Sequence, residues 1–300
     1  MSARELTIGI TSFNSAPFLK ACLASIRATI GERARIVVLD NLSDDGSDVL
    51  ARRAGAEVVS RRCSQADAMN TLFAMSRSPY TLLIHADVVM LNPRWPDLCL
   101  RQFREDVALV SPEDIGCGPY TRFWGAGRPE SSFLMFDTAR ARAARPWFWR
   151  RRFKIKWPYR ALDFTGDHVT YNLPEMLARC GRRVALMGVH ASPADPDPPF
   201  ALRFAPKYWR SGFERLRYGL GNFYSLDGEI THYHNWYDRA GRPGAAIASD
   251  STAEYPTEGG FPLAWLQACG RRFLRDWEVG AVKLPTLAEA RRARERALAP

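Results

Sequence analysis

The chain has 300 residues, of which 46% are hydrophobic and 25% charged, the balance of a globular protein with enough apolar material to bury a core in one large domain or two small ones. No apolar stretch reaches the roughly 18 residues of a membrane-spanning helix, and the first residues lack the charged start, apolar run and cleavage site of a secretory leader. The net charge of +10, mostly arginine, favours polyanionic partners such as nucleic acid, anionic lipid or phosphorylated ligands without choosing among them; arginine-rich genomic composition accounts for it equally well.

The first 110 residues alternate strand and helix patterns. Leu6–Phe13 (LTIGITSF) reads as a buried strand. Phe18, Leu19, Cys22, Leu23, Ile26 and Ile30 then recur at helical spacing after a cap at Asn14 or Ser15. Arg35–Asp40 is a second strand, and Ser43 to Ala54 reads as a helix stopped by Gly55. Ala56–Ser60 is a third strand and Gln65 to Arg77 a third helix. Tyr80–His85 is a fourth strand, Trp95 to Glu105 a helix, and Val107–Val110 strand-like. This alternation predicts an α/β fold, a mostly parallel sheet flanked by helices and joined by right-handed crossovers.

The second half is less regular. Residues 116–129 are rich in glycine. Arg145–Arg160 (RPWFWRRRFKIKWPYR) mixes aromatic and basic residues without an acid. A helix falls within NLPEMLAR (172–179), followed by a proline-rich loop at 192–207. Gly228–Tyr237 (GEITHYHNWY) reads as a strand carrying two histidines, residues 241–261 as loose chain, and 263–277 and 286–298 as terminal helices. The six cysteines are scattered without a C-x-x-C pair, which predicts reduced thiols in a cytosolic protein and neither a disulfide frame nor a zinc site.

In a parallel α/β sheet, ligands gather beyond the carboxyl ends of the strands. Those ends read Thr11-Ser12-Phe13-Asn14, Leu39-Asp40-Asn41, Ser60-Arg61-Arg62 and His85-Ala86-Asp87, all polar or charged. A carboxylate closing an apolar strand is costly unless something pairs with it, so this shared edge is the candidate site. The glycine-rich loops of dinucleotide and mononucleotide folds are absent, as are H-E-x-x-H and G-x-S-x-G.

The order T-S-F-N, V-L-D-N-L-S-D-D-G-S (38–47), A-D-A-M-N (66–70) and I-H-A-D resembles glycosyltransferase family 2, with its GT-A fold. The resemblance is strong over 6–92 and continues through F-T-G-D-H (164–168) and T-H-Y-H-N (231–235). It implies a single GT-A-like domain with a nucleotide-sugar-binding half over 1–110, an acceptor and catalytic half over 111–262, and a helical tail over 263–300. It implies an inverting transferase using a UDP-, GDP- or dTDP-sugar and a divalent cation, Mn²⁺ or Mg²⁺.

By the same resemblance Asp40 contacts the nucleobase, alongside Thr11, Phe13, Asn14 and Asn41. Capping of the next helix by Asp40 and Ser43 is compatible with that role. Arg61 faces the diphosphate and Asp67 the base or ribose. His85-Ala86-Asp87 matches the Asp-x-Asp motif, whose last aspartate, Asp87, holds the cation. His85 departs from the usual aspartate and either contacts the ribose, with Ala86, or packs. His232 and His234 share one face of a strand and are candidate ligands for the cation or diphosphate, an imidazole favouring Mn²⁺; packing among the neighbouring aromatics is the alternative.

Asp167 is the candidate base, with Asp163 and Glu175 as fallbacks and Gly166 standing where an acid is commoner. Asp195-Pro196-Asp197 repeats the metal motif within a proline-rich loop and is read as a decoy. The acceptor is a glycan, a lipid-linked molecule or a small molecule. Residues 145–160 form either a core-facing strand with a wet rim or a peripheral contact with the inner face of an anionic membrane. A sugar nucleotidyltransferase wants a glycine-rich basic loop after the first strand, where T-S-F-N-S-A-P-F stands. A nucleic-acid binder leaves the acidic strand ends unexplained, and an inactive transferase is the reading in which His85 and Gly166 disable the site.

Overall fold

A computed structural model describes residues 5–113, 128–145, 148, 169–170, 172–191 and 222–234. The strands are β1 (Leu6–Ser12), β2 (Ala34–Asp40), β3 (Glu57–Ser60), β4 (Tyr80–His85), β5 (Val88–Met90), β6 (Val107–Pro112), β7 (Phe133–Asp137), β8 (Arg183–Ala191), β9 (Asn222–Leu226) and β10 (Glu229–His234). The helices are α1 (Ala16–Ile30), α2 (Ser47–Arg53), α3 (Gln65–Met75), α4 (Trp95–Gln102), α5 (Thr138–Ala143) and α6 (Leu173–Ala178).

The strands form one sheet in the order β3-β2-β1-β4-β7-β6-β8-β9-β10-β5. β3, β2, β1 and β4 are parallel neighbours, as are β6 and β8. β7 runs antiparallel between β4 and β6, and β8-β9-β10-β5 is an antiparallel ribbon. The expected α/β, GT-A-like sheet, parallel in its core and flanked by helices, is what the chain forms.

Alternation explains the strands. Ile36 and Val38 join Ile8, Ile10, Leu82 and Ile84 in the core under α1, while Val37 and Leu39 join Leu72, Leu83 and Leu134 in the core under α3. A strand buried on both faces is mostly apolar, which is why β1, β2 and β4 are rich in aliphatic residues, with Thr7 and Thr81 the buried polar exceptions in their interiors. Gly9 lets α3 approach β1: a Cβ there would stand 2.9 Å from Leu72 Cβ.

Several boundaries differ from expectation. The helix expected from Ser43 begins at Ser47, because Leu42 and Gly46 take positive φ (55° and 81°) and the carboxylates of Asp40 and Asp45 hold the loop in turns. The helices expected to reach Arg77 and Glu105 stop at Met75 and Gln102. β5, β7, β8, β9 and α5 are additions to the predicted elements. Asp163, Gly166 and Asp167 lie outside the described residues, as do 145–160 apart from Arg145 and Phe148. So do Asp195, Asp197, the proline-rich loop and everything after His234.

The topology brings two distant segments together. β4 passes into β5 across only Ala86 and Asp87, yet β5 pairs with β10 at the far end of the sheet. The ribbon therefore turns back toward the carboxyl end of β4. Ser25 on α1 fixes the return, its Oγ accepting from Met90 N at 2.9 Å.

Candidate active site at the carboxyl edge of the parallel strands

The four strand ends lie side by side. Thr11 is in register with Leu39 and His85, Ser12 with Asp40, and Asp40 with Ser60. Thr11 and Asp40 are buried and Phe13 is half-buried. Asp40 accepts from the Ser43 backbone N–H at 2.9 Å and from the Ser43 hydroxyl. It thus closes a turn within the loop rather than capping α2.

The same loop stitches itself to the start of α1. The Asn14 N–H donates to Ser43 Oγ at 2.9 Å, and the Asp44 N–H to Asn14 Oδ1 at 3.0 Å. Asp45 Oδ2 accepts from the Ala16 N–H at 2.8 Å, so the polar group meeting the α1 N-terminus comes from another loop. Asn14 itself has φ of 46°, the left-handed region that asparagine tolerates.

Just past the third strand, the Arg61 N–H donates to the Asp40 carbonyl at 2.9 Å and its guanidinium to Thr71 Oγ1 at 2.8 Å. The Cys63 N–H donates to Asn41 Oδ1 at 2.7 Å. Ser64 caps α3 by accepting from the Asp67 N–H at 3.1 Å, and its hydroxyl donates to Asp67 Oδ2 at 2.8 Å. Asn14, Asp40, Asn41, Arg61 and Asp67 are therefore tied into the scaffold around one edge.

Asp87 and His234 meet beside this edge. Asp87 sits in the β4–β5 turn, and His234 pairs with Val88 at the end of β10. His234 Nε2 lies 3.4 Å from Asp87 Oδ1, and the His234 ring centroid 5.6 Å from that of His85. Ligand atoms of His85, Asp87 and His234 all fall within 4.8 Å of one another, the one such cluster among the described residues. Ala86, between the two motif residues, is fully buried and its N–H donates to the Thr11 carbonyl at 3.1 Å.

His232 is held elsewhere. Its ring is stacked between Phe133 (centroids 4.4 Å apart) and Tyr224 (4.7 Å), fully buried. The strand period puts both histidines on one face, but only His234 joins His85 and Asp87. Glu175, on α6, is ion-paired with Arg128.

Two residues of the site are additions to the sequence reading. Glu130 is buried, and its Oε1 lies 3.1 Å from His234 Nδ1 while its Oε2 accepts from the Tyr224 hydroxyl at 2.6 Å. Gln65, the first residue of α3, places its amide nitrogen 2.6 Å from His85 Nε2.

The electrostatics follow from this packing. Burial alone would keep His234 neutral, but Asp87 and Glu130 on either side raise its pKa to about 9. Burial would likewise raise the Glu130 carboxyl, yet hydrogen bonding and attraction to His234, with the Tyr224 hydroxyl, hold it at about 2. His232, desolvated and repelled by His234, falls to about 3. The pocket is thus a buried pair of carboxylates that demands a cation, and a proton on His234 is one way of providing it.

The chain is thus a GT-A-like α/β sheet with a carboxylate and imidazole cluster at the carboxyl edge of its parallel core. Residues 7–172 match the model of glycosyl transferase family 2, and the chain belongs to that family. No curated protein matches the chain.

Solved structures resemble it more distantly. The mannosyltransferase PcManGT from Pyrobaculum calidifontis, in complex with GDP-Man and Mn²⁺, is 17% identical, with 61% of this chain and 54% of that one covered and a TM-score of 0.46. Glucosyl-3-phosphoglycerate synthase from Mycobacterium tuberculosis, with phosphoglyceric acid, is 18% identical, with 61% and 70% covered and a TM-score of 0.44. Mannosyl-3-phosphoglycerate synthase from Rubrobacter xylanophilus is 21% identical, with 45% and 53% covered and a TM-score of 0.37. The chain spans about half the length of the first and third. Among the described residues no helix is long and apolar enough to cross a membrane.

Proposed function

We propose that this protein is a metal-assisted, inverting glycosyltransferase that moves a sugar from a nucleoside-diphosphate donor to an acceptor hydroxyl. The observation that carries the reading is the His85–Asp87–His234 cluster at the same sheet edge as Asp40. Two donors about 2.1 Å from one cation and at right angles stand about 3 Å apart, and the 3.4 Å between Asp87 Oδ1 and His234 Nε2 is close to that spacing. A carboxylate with two imidazoles suits Mn²⁺ better than Mg²⁺. Asp87, His234 and His85 would hold the cation, which when bound neutralises the diphosphate as it leaves.

Asp40 accepts from the nucleobase in this reading, with Thr11, Phe13, Asn14, Asn41 and Asp67 lining base and ribose, Ala86 beside the ribose and Arg61 near the diphosphate. His232 supports the site from within the core. The acceptor oxygen attacks the anomeric carbon as the bond to the diphosphate oxygen breaks, and its proton passes to a carboxylate; Asp167 is the proposed base. The acceptor is a glycan, a lipid-linked molecule or a small molecule, and residues 145–160 are the proposed contact with an anionic membrane face.

The test is the melting temperature of the whole chain against UDP, GDP and dTDP, with and without Mn²⁺, in the wild type and in Asp87→Ala. Stabilisation by one diphosphate that requires Mn²⁺ and disappears in Asp87→Ala is the expected result. No shift with any nucleotide overturns the reading.

A further inference from the structure

We propose that Glu130, braced by Tyr224, is the positioning residue that aims His234 at the cation; this rests on the metal reading above. An imidazole has two nitrogens and only one can face the cluster. Here Nδ1 faces Glu130 at 3.1 Å and Nε2 faces Asp87 at 3.4 Å. With the carboxylate 3.1 Å from Nδ1, the proton is favoured on Nδ1 and the lone pair on Nε2, where a cation shared with Asp87 would be held. Such outer partners fix the tautomer and ring orientation of a ligating histidine and raise its basicity.

Glu130 is itself fixed on every side. Its N–H donates to the Pro112 carbonyl at 2.8 Å, and its own carbonyl accepts from Ser111 Oγ at 3.1 Å, so its backbone is pinned to the end of β6. Its second carboxylate oxygen takes the Tyr224 hydroxyl at 2.6 Å. Tyr224 lies on β9 opposite His232 and is stacked on that ring, so its hydroxyl has little freedom. The chain of contacts Tyr224–Glu130–His234–Asp87 therefore runs from the rigid sheet to the cluster through three buried side chains. A carboxylate this deep contributes nothing to solubility, and among the described residues His234, Tyr224 and Ser132 are polar side chains that meet it.

The experiment measures Mn²⁺ dissociation constants of the full chain from the electron paramagnetic resonance signal of free Mn²⁺, for wild type, Glu130→Gln and Tyr224→Phe. Gln has the shape of Glu and still accepts from Nδ1–H, but lacks the charge; Phe keeps the stack on His232 and removes only the hydroxyl. Glu130→Gln is expected to bind Mn²⁺ about 10–100-fold more weakly, and Tyr224→Phe to weaken it by a smaller factor, with the metal-free melting temperature of Tyr224→Phe close to wild type. A lowered melting temperature with unchanged Mn²⁺ affinity in both variants assigns Glu130 a structural role and overturns the proposal alone. Absence of Mn²⁺ binding by the wild type overturns the metal reading and this proposal with it.

Discussion

Acidification should destabilise the protein through His232, by an amount that the structure sets. Thr231 Oγ1 gives its one proton to the Tyr224 carbonyl at 3.0 Å, so the 3.0 Å contact between Thr231 Oγ1 and His232 Nδ1 has the imidazole as donor. The proton therefore sits on Nδ1, and Nε2 has no hydrogen-bond partner among the described residues. A second proton would put a charge and an unsatisfied N–H between Phe133 and Tyr224, beside the positive His234. Burial and that repulsion hold the pKa at about 3, against an ordinary 6.5.

Because the folded value is depressed, the contribution of His232 to stability is complete above pH 6.5 and is lost as pH falls toward 3. At pH 5 the unfolded chain has taken up a proton that the folded chain refuses. About 1.5 pH units below the ordinary value, at about 1.36 kcal/mol each, gives a loss of about 2 kcal/mol. Urea unfolding at pH 7 and pH 5 reads this directly when wild type is compared with His232→Phe, which keeps the stacked ring and removes the titrating nitrogen. The wild type should lose about 2 kcal/mol more than the variant between the two pH values. Equal losses would refute the assignment of a buried, neutral imidazole.

Gly9→Ala forces a Cβ to 2.9 Å from both Leu72 Cβ and Leu83 Cδ2; chemical denaturation should show a loss of about 1–3 kcal/mol, the usual result of overpacking a filled core. Burial pushes the Cys22 and Cys99 thiols well up, with the Asp87 and Asp227 charges adding to the effect, while Cys180 is exposed. Iodoacetamide on the native protein should therefore label Cys180 and leave Cys22 and Cys99 unmodified by peptide mass mapping, all three reacting after denaturation.

β1, β2 and β4 were legible because both their faces are buried, so aliphatic residues dominate them up to the polar strand ends. The edge that collects Thr11, Asp40, Arg61 and His85 followed from that alone, since parallel strands end on one side. β7 was written just as plainly in FLMFD but stands behind a glycine-rich stretch, and the short β5 looks like the tail of β4. The late start of α2 was hidden in a sequence with good helical spacing, because the carboxylates of Asp40 and Asp45 draw the intervening residues into turns. Asp87 and His234 were visible as motif residues. Glu130 was not: a glutamate after a proline and before two serines reads as wet loop. Its burial comes from β9 and β10, which arrive from the other end of the chain. His232 and His234 have the same period and the same type, and only the depth of Phe133 and Tyr224 separates a packed ring from one at the cluster.

The turning back of the antiparallel ribbon has a consequence for how the protein is born. Asp87 leaves the ribosome early, on the turn that follows β4, whose partner β1 is already made. His234 lies on the last described strand and reaches Asp87 only when β9 and β10 dock on β8 and β5. A nascent chain halted after β7 holds a carboxylate, an imidazole and Glu130, all waiting for the same missing ring. Closure of the cluster thus reports that the last described strands have found their places, and a chain in which that ribbon fails to dock lacks His234 at the cluster even where Asp40, His85 and Asp87 are in place.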